Sequence, residues 1–301
     1  MRITLLHNKT AGSENHAADD IEASISRAGH ELVEISVGLE ELIASLRERP
    51  CDAIAIAGGD GTVGRAACAL AGCGIPLAIL PLGTANDTAA ALGIRGELDE
   101  LVRSWASSRR VPFDLATLRS GDDTLAPFSE AVGWGVFPSV MEETRRMSIQ
   151  DEPEDTLDRD RSVFQSVVES AELRPYVIQV DGERLDGEFL LVEIVNISLI
   201  GPRLNLSPDS DPSDGVLELV LAGESERTAL YELASTGKIE SDVRLRTLRG
   251  KHFTIETDRR TYHRDGSLQR SPSKGGAFSV TVEPASVSYL LPAVSALQHS
   301  R

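Results

Sequence analysis

Cysteine is scarce in this sequence, and the few that occur do not form a disulfide framework. The three cysteines, Cys51, Cys68 and Cys73, make no C-x-x-C pair and lie in apolar or alanine-rich segments. We therefore expect small buried side chains in a reducing compartment. The six histidines are scattered without H-x-x-x-H spacing, so a zinc site is not expected either.

Positive charge is also scarce. The 301 residues hold 47 Asp and Glu against 30 Lys and Arg, a formal net charge of −17. Affinity for nucleic-acid phosphates comes from clustered Lys and Arg, so this balance excludes a general nucleic-acid binder. Hydrophobic residues still make up 41% of the chain, which is typical of a folded protein rather than a disordered one.

Long apolar runs are missing as well. No stretch approaches the roughly 18 uncharged apolar residues of a membrane-spanning helix, and the apolar run at the N-terminus is too short for a signal peptide. We therefore predict a cytoplasmic protein without a transmembrane segment. The length of 301 residues exceeds one ordinary core, so two domains are expected.

The first 112 residues alternate short apolar runs with helical patterns, which predicts a parallel sheet wrapped by helices. Residues 53–57 are apolar at every position, as expected of a central strand covered on both faces. Residues 113–285 carry short Val-, Ile- and Leu-rich segments separated by turns, which predicts a mainly antiparallel β domain. Residues 150–161, with six carboxylates and Pro153, are interpreted as a solvated loop.

Two loops of the first region carry chemistry. Gly58-Gly59-Asp60-Gly61-Thr62 follows the strand at 53–57, and Pro81-Leu82-Gly83-Thr84-Ala85-Asn86-Asp87 follows the next apolar run. Both loops therefore emerge at the carboxyl edge of the sheet, where open α/β sheets bind ligands. Successive glycines let the backbone approach a ligand closely, and the helix that follows adds unpaired N–H groups. The first loop therefore suits a phosphate chain.

The spacing Gly59-x-Gly61-x-x-Gly64 also satisfies the dinucleotide fingerprint, so an NAD-dependent dehydrogenase is an alternative. One observation is against a dehydrogenase. A dinucleotide site needs an acidic residue about 20 positions after the glycines, and the sequence there is Pro81-Leu82-Gly83. Asp60 would also press a carboxylate against a pyrophosphate, which is reasonable only with Mg²⁺ or with a hydroxyl substrate to orient. The loop therefore indicates phosphoryl transfer, and the lack of G-x-x-x-x-G-K-S/T excludes a P-loop enzyme.

Together the two loops resemble the diacylglycerol kinase catalytic-domain family, which includes diacylglycerol, sphingosine and ceramide kinases. GGDG alone is also compatible with NAD kinases and phosphofructokinases, but G-T-x-N-D after the next strand is the lipid-kinase form. The opening Asn8-Lys9-Thr10-Ala11-Gly12 resembles the N-P-x-x-G of this family, with Lys9 in place of the proline. The resemblance implies an NAD-kinase-like α/β domain over 1–112, to which 286–301 can return, and a β-sandwich-like acceptor domain over 113–285.

The resemblance also implies ATP and Mg²⁺ as cofactors. The residues expected to bind the nucleotide are those of the two loops, with Asn8 and, by a looser match, Ser36: Asn8, Ser36, Gly58, Gly59, Asp60, Gly61, Thr62, Val63, Gly64, Thr84, Asn86 and Asp87. A structural Mg²⁺ is expected at Asp211, Asp214 and the carbonyl of Val216. Two carboxylates three residues apart and a turn glycine suit a hard cation.

The chief departure from the family lies in its D-G-E motif, which supplies the general base and metal contacts. This chain reads Asp265-Gly266-Ser267 there. A serine cannot accept a proton at neutral pH without a neighbouring base, whereas Asp265 or Asp60 can, so these two are the expected catalytic residues. A changed substrate or a weakened catalyst are the alternatives.

Three functions stay open at this point. The favoured one is an ATP-dependent lipid kinase acting on diacylglycerol or a sphingoid base. The second is a kinase of the same superfold acting on NAD or another soluble acceptor, and the third is a nucleotide- or lipid-binding regulator without turnover, suggested by Ser267. The expected partner is a lipid met transiently at the inner face of the membrane, with no nucleic acid. A homodimer is compatible with the sequence.

Overall fold

The computed structural model describes residues 1–8, 18–120, 123–147, 156–240, 242–271 and 276–293. The chain divides into two compact units, which we call the α/β unit (Met1–Phe113 with Ala285–Arg301) and the β unit (Asp114–Pro284). Residues 9–12 of the opening motif lie outside the described residues.

The α/β unit is built on a parallel sheet. Its strands are β1 (Arg2–His7), β2 (Glu31–Ser36), β3 (Ala53–Gly58) and β4 (Leu77–Pro81), and its helices are α1 (Ala18–Arg27), α2 (Leu39–Glu48), α3 (Asp60–Ala69), α4 (Asp87–Ala91) and α5 (Leu98–Ser104). The strands run in the order β2-β1-β3-β4, all parallel. Every residue of β3 is buried, which explains its uninterrupted apolar sequence. The predicted α/β architecture is confirmed.

The β unit contains most of the remaining elements. Strand β5 (Arg109–Ser120) leads into it, and its further elements are β6 (Asp123–Phe128), β7 (Ala131–Gly135), α6 (Val136–Met147), α7 (Thr156–Ser170), β8 (Arg174–Val180), β9 (Glu183–Phe189), β10 (Leu191–Val195), β11 (Leu199–Ile200), β12 (Leu204–Asn205), β13 (Leu217–Ala222), α8 (Arg227–Thr236), β14 (Arg246–Gly250), β15 (His252–Thr257), β16 (Thr261–Arg264), β17 (Ser267–Arg270) and β18 (Gly276–Leu291). The end of β18 belongs to the α/β unit, where Tyr289 pairs in parallel with Leu77 of β4.

Two antiparallel layers enclose the core of the β unit, as the sequence predicts. One is the sheet β14-β13-β10-β7-β16-β17, and the other is formed by β9, β8, β15 and the first part of β18. Alternate residues of each strand point into the core between the layers, including Trp134 of β7, Phe253 of β15 and Phe278 of β18. The intervening residues of the first sheet, such as Gly133 and His263, therefore lie on its other face.

Helices cover that other face. The ring of Phe137 in α6 lies 5.6 Å from the ring of His263 and 5.1 Å from the ring of Phe164 in α7. Helix α7 begins at Thr156, so the interpretation of 150–161 as a loop is wrong for its second half. The buried side chains of α7 (Val163, Phe164 and Val168) come later in the helix, so its acidic start alone has no apolar periodicity.

The rest of that acidic segment, 148–155, lies outside the described residues. None of the helices in the described ranges combines the length and the apolar character that a membrane span requires.

The first test of the packing concerns Gly133. A Cβ there would overlap Oε2 of the fully buried Glu193 side chain. We expect Gly133→Ala to lower the free energy of unfolding in urea by about 3 kcal/mol, because a packed interior has no room for the new atom. In the control Gly223→Ala the nearest atom to the new Cβ is 3.4 Å away, so the loss should stay below about 1 kcal/mol. Equal losses would contradict this account of the packing.

Candidate active site

Two loops meet at the carboxyl edge of the parallel sheet in the α/β unit. We call residues 58–62, after β3, the glycine loop, and residues 81–87, after β4, the second loop. The N–H of Leu82 donates to the carbonyl of Gly58 at 3.1 Å. A Cβ on Gly83 would lie only 2.5 Å from Cα of Gly59. The loops are therefore in backbone contact, and only glycine fits at the point of contact.

Helix α3 begins within the glycine loop, at Asp60. The N–H groups of Thr62 and Val63 already donate to the carbonyl of Gly59, at 2.8 and 3.0 Å, and Val63 and Gly64 are buried in the helix. Helix α3 therefore begins inside the segment 58–62, which the sequence analysis takes as a loop. The first N–H groups of a helix have no partners within the helix. In α3 these are the N–H groups of Asp60 and Gly61.

Several side chains expected to bind the nucleotide hold the loops themselves. The amide of Asn8 donates to Oγ1 of Thr62 at 2.8 Å. Oδ1 of Asp60 accepts the N–H of Thr88 at 3.1 Å, so the glycine loop caps helix α4. Asn86 has a left-handed backbone (φ 54°), and its amide accepts the N–H of Gly83 at 2.8 Å and donates to the carbonyl of Gly83 at 2.6 Å. These contacts join the end of β1 and both loops into one rigid arrangement.

The other expected nucleotide-binding residues differ in accessibility. Thr84 is exposed at the tip of the second loop, whereas Asp87 is buried at the start of α4. Ser36 ends β2 at the same edge of the sheet, but it is fully buried. Its hydroxyl has no hydrogen-bond partner among the described residues. Of these three side chains, only that of Thr84 is open to a ligand in this conformation.

Asp265 lies in the β unit, at the turn between β16 and β17. Asp265 and Gly266 both have positive φ, 43° and 65°, as a two-residue hairpin of type I′ requires. Its carboxylate accepts the N–H groups of Ser129 (2.8 Å), Glu130 (2.8 Å) and Ala131 (3.2 Å). Burial raises the pKa of Asp265, and these main-chain donors oppose that rise because they favour the charged form. The carboxylate thus fastens the hairpin to the start of β7.

A hydrogen-bond network continues from this point to the turn at residues 211–215. The buried amide of Asn196 donates to the carbonyls of Ser129 and Asp114, both at 2.8 Å. Asp114 in turn accepts the N–H of Gly215 at 2.7 Å and donates its own N–H to the carbonyl of Pro212 at 2.6 Å. The 211–215 turn and the Asp265 hairpin are therefore linked through two residues that the sequence analysis did not connect.

The expected structural cation does not fit the residues present. Oδ1 of Asp211 accepts the N–H and the hydroxyl of Ser213, at 3.0 and 2.6 Å. Oδ1 of Asp214 accepts the N–H of Val216 at 3.1 Å, and its Oδ2 accepts a guanidinium N–H of Arg249. Among the described residues, no three His, Cys, Asp or Glu side chains converge as a metal site would. Positive charge at this turn comes from an arginine.

Sequence reasoning missed a buried pair in the β unit. Glu193 is fully buried, and its Oε1 lies 2.5 Å from Nε2 of His263, which is 4% exposed. Burial raises the pKa of Glu193, and the neighbouring His263 opposes the rise. The available signal was the single carboxylate within the otherwise apolar strand β10, Leu191–Val195. The pair joins β10 to β16, the strand that leads to Asp265.

Comparisons with known proteins agree with this architecture. A family model described as "Diacylglycerol kinase catalytic domain" matches residues 2–118, and one described as "YegS C-terminal NAD kinase beta sandwich-like domain" matches residues 161–291. A crystal structure of a diacylglycerol kinase from Bacillus anthracis str. Sterne superposes with a TM-score of 0.72 at 19% identity, covering 98% of this chain and 97% of that one. At that identity the likeness establishes the fold.

Curated relatives point the same way. The chain is 28% identical over 285 residues to "Diacylglycerol kinase" of Mycobacterium tuberculosis (strain CDC 1551 / Oshkosh), which covers 89% of each chain. It is 27% identical over 241 residues to "Probable lipid kinase YegS-like" of Klebsiella pneumoniae (strain 342), covering 78% of this chain and 76% of the relative.

The fold and its two loops thus have the diacylglycerol kinase and NAD kinase type of architecture. Within that class, residues 2–118 belong to the diacylglycerol kinase catalytic-domain family.

The second test concerns the structural role of Asp265. Asparagine keeps the turn conformation but removes the charge that the main-chain N–H groups bind. We expect Asp265→Asn to lower the free energy of unfolding by about 2 kcal/mol, measured by urea denaturation without ligand. Ser267→Ala, an exposed position in the same hairpin, is the control and should leave stability unchanged. An Asp265→Asn protein as stable as the wild type would show that the carboxylate does not hold the hairpin.

Proposed function

We propose that this chain is an ATP-dependent lipid kinase, which transfers the γ-phosphoryl group of ATP to a hydroxyl group of a lipid such as diacylglycerol or a sphingoid base. The observation that carries the proposal is the backbone contact between the glycine loop and the second loop, at Gly59 and Gly83. The names of the relatives, a diacylglycerol kinase and a YegS-like lipid kinase, support the choice of acceptor. A lipid acceptor implies that the protein visits a membrane surface transiently.

The residues of the α/β unit fit a phosphate chain. Gly61 is exposed, and the nearest atom to a Cβ placed there is Nη1 of Arg65, at 3.5 Å. The N–H groups of Asp60 and Gly61, which have no partner within the helix, lie at the positive end of the dipole of α3, a ten-residue helix. In the proposed reaction these N–H groups bind the terminal phosphates and orient them, while the Asn8–Thr62 hydrogen bond keeps the loop in place.

Asp60 is the carboxylate of the glycine loop, and in our proposal it orients the acceptor hydroxyl or meets the metal ion that accompanies ATP. Mg²⁺, when bound, supplies positive charge to the β- and γ-phosphoryl oxygens. Because phosphoryl transfer passes through a loose transition state, positioning contributes more to the rate than deprotonation of the hydroxyl. The hydrogen bond from Thr88 fixes the direction of the Asp60 side chain. Asp265, whose oxygens bind main-chain N–H groups, is assigned a positioning role.

The third test removes the charge of Asp60 and keeps its hydrogen bond. Asparagine at this position can still accept the N–H of Thr88, so the fold of the loops should survive. We expect Asp60→Asn to lower kcat by about 10²-fold or more, because the carboxylate acts in the transition state, with little change in the KM for ATP. The control is Asp52→Asn, an exposed position before β3 at the opposite end of the same strand. Full activity of Asp60→Asn would remove Asp60 from the mechanism.

The acceptor is identified by a direct assay. Purified protein is incubated with radiolabelled ATP, Mg²⁺ and, in separate reactions, diacylglycerol, sphingosine, ceramide, polyprenol, NAD and glycerol. The proposal predicts a labelled lipid product. Labelled product from NAD alone would contradict it in favour of a soluble acceptor. ATP binding without product from any acceptor would contradict it in favour of a regulator without turnover.

The fourth test uses a substitution that forces the two loops apart. Gly83→Ala would place a Cβ 2.5 Å from Cα of Gly59 and 2.9 Å from Oδ1 of Asn86, so the loops must move apart. A displacement of this size is expected to lower kcat/KM for ATP on the order of 10²-fold. Gly38→Ala is the control, since no atom lies within 4 Å of its new Cβ and its φ is −145°. Wild-type kcat/KM in Gly83→Ala would show that the contact does not build the site.

A further inference from the structure

Arg249 lies where the β unit brings two carboxylates together. It stands on β14 directly opposite Glu218 of β13 in the antiparallel register. Its Nε donates to Oε1 of Glu218 at 3.1 Å, and its Nη2 donates to Oδ2 of Asp214. One guanidinium therefore bridges the strand and the 211–215 turn that precedes it.

The two carboxylates differ strongly in exposure. The side chain of Glu218 is 3% exposed and that of Asp214 is 28% exposed, whereas that of Arg249 is 57% exposed. Burial raises the pKa of Glu218, and the hydrogen bond and charge of Arg249 oppose that rise. A buried carboxylate needs a positive partner or a proton, and Arg249 supplies the positive partner.

Two further carboxylate oxygens at the turn also have donors. Oδ1 of Asp214 accepts the N–H of Val216, and Oδ1 of Asp211 accepts two donors from Ser213. A divalent ion would have to displace these donors and compete with a guanidinium, which cannot lose its charge in a protein. The turn is therefore closed by hydrogen bonds within the chain.

We infer that Arg249 replaces the divalent cation at this turn, so that the chain holds the 211–215 segment with an arginine in place of a metal ion. A guanidinium delivers its charge through directional N–H donors, which suits two carboxylates held on different elements. The hydrogen bonds of this turn extend beyond it to Asp265. The turn binds Asp114, which is linked through Asn196 to Ser129 and from there to Asp265.

Thermal unfolding without nucleotide tests this inference separately from the proposed kinase activity. We expect the wild-type Tm to be the same in EDTA and in millimolar Mg²⁺ or Ca²⁺ at matched ionic strength. In Arg249→Met the carboxylates lose their cation, so the Tm in EDTA should fall by about 4 °C or more. Millimolar Mg²⁺ or Ca²⁺ should restore much of the loss, because the vacated space lies between the carboxylates of Asp214 and Glu218.

Two further variants sharpen the test. Arg246→Met, an exposed arginine on the same strand, should melt like the wild type in both solutions. Arg249→Lys retains a positive charge and should melt between the wild type and Arg249→Met. A wild-type Tm that falls in EDTA and recovers with metal would overturn the inference, even if Arg249→Met does not fold. An Arg249→Met protein that melts like the wild type, or that no divalent ion restores, would overturn it as well.

Discussion

The contact between Gly59 and Gly83 is the constraint on which the α/β unit depends at its functional edge. Two loops from adjacent parallel strands approach there until only hydrogen atoms fit between their Cα positions. The polar side chains around the contact share one role, which is to hold the backbone of the loops. Asn8, Asp60 and Asn86 bind neighbouring loop or helix groups, so the backbone is held in a conformation in which the first N–H groups of α3 have no partner within the helix. Rigidity of this kind is what a phosphate-positioning site needs, because misplacement of about 1 Å can cost 10²-fold in rate.

The β unit holds charged groups within a largely apolar sandwich. Three carboxylates of this unit meet defined partners: Asp265 binds main-chain N–H groups, Glu193 lies against His263, and Glu218 binds Arg249. Removing one member of such a pair is costly because the other is left uncompensated. These pairs connect β10, β13, β14 and β16 with the loops between them, so the positions of Asp265 and of the 211–215 turn are determined together. The positive charge at the 211–215 turn comes from Arg249, and the donors at Asp265 are main-chain N–H groups.

Much of the fold was predictable from the sequence because it follows from local patterns. The uninterrupted apolar run at residues 53–57 identified a central strand, and the Gly-rich segments after two successive strands identified the edge that carries the site. The start of α3 was placed too late, since glycines have low helix propensity and the helix begins among them only because Gly59 accepts its first hydrogen bonds.

What the sequence could not predict were partners far apart along the chain. Asp265 binds N–H groups about 135 residues away, and Arg249 binds a carboxylate 35 residues away. Nothing in the spacing of Asp211 and Asp214 distinguishes a metal ligand from an arginine partner, because both need the same carboxylates. The resemblance to a kinase family supplied the expected residues, and the structure shows that Asn8, Asp60 and Asn86 also hold the loops. In contrast, the single Glu193 within an apolar strand was a readable signal of a buried pair.

We propose that the glycine loop and the second loop bind the phosphates of ATP. The most direct measurement is a two-dimensional ¹⁵N–¹H spectrum of protein labelled with ¹⁵N-glycine, titrated with Mg²⁺ and a non-hydrolysable ATP analogue. We expect the signals of Gly59, Gly61 and Gly83 to shift with one common dissociation constant. A titration that saturates elsewhere in the chain and leaves those three signals unchanged would contradict it.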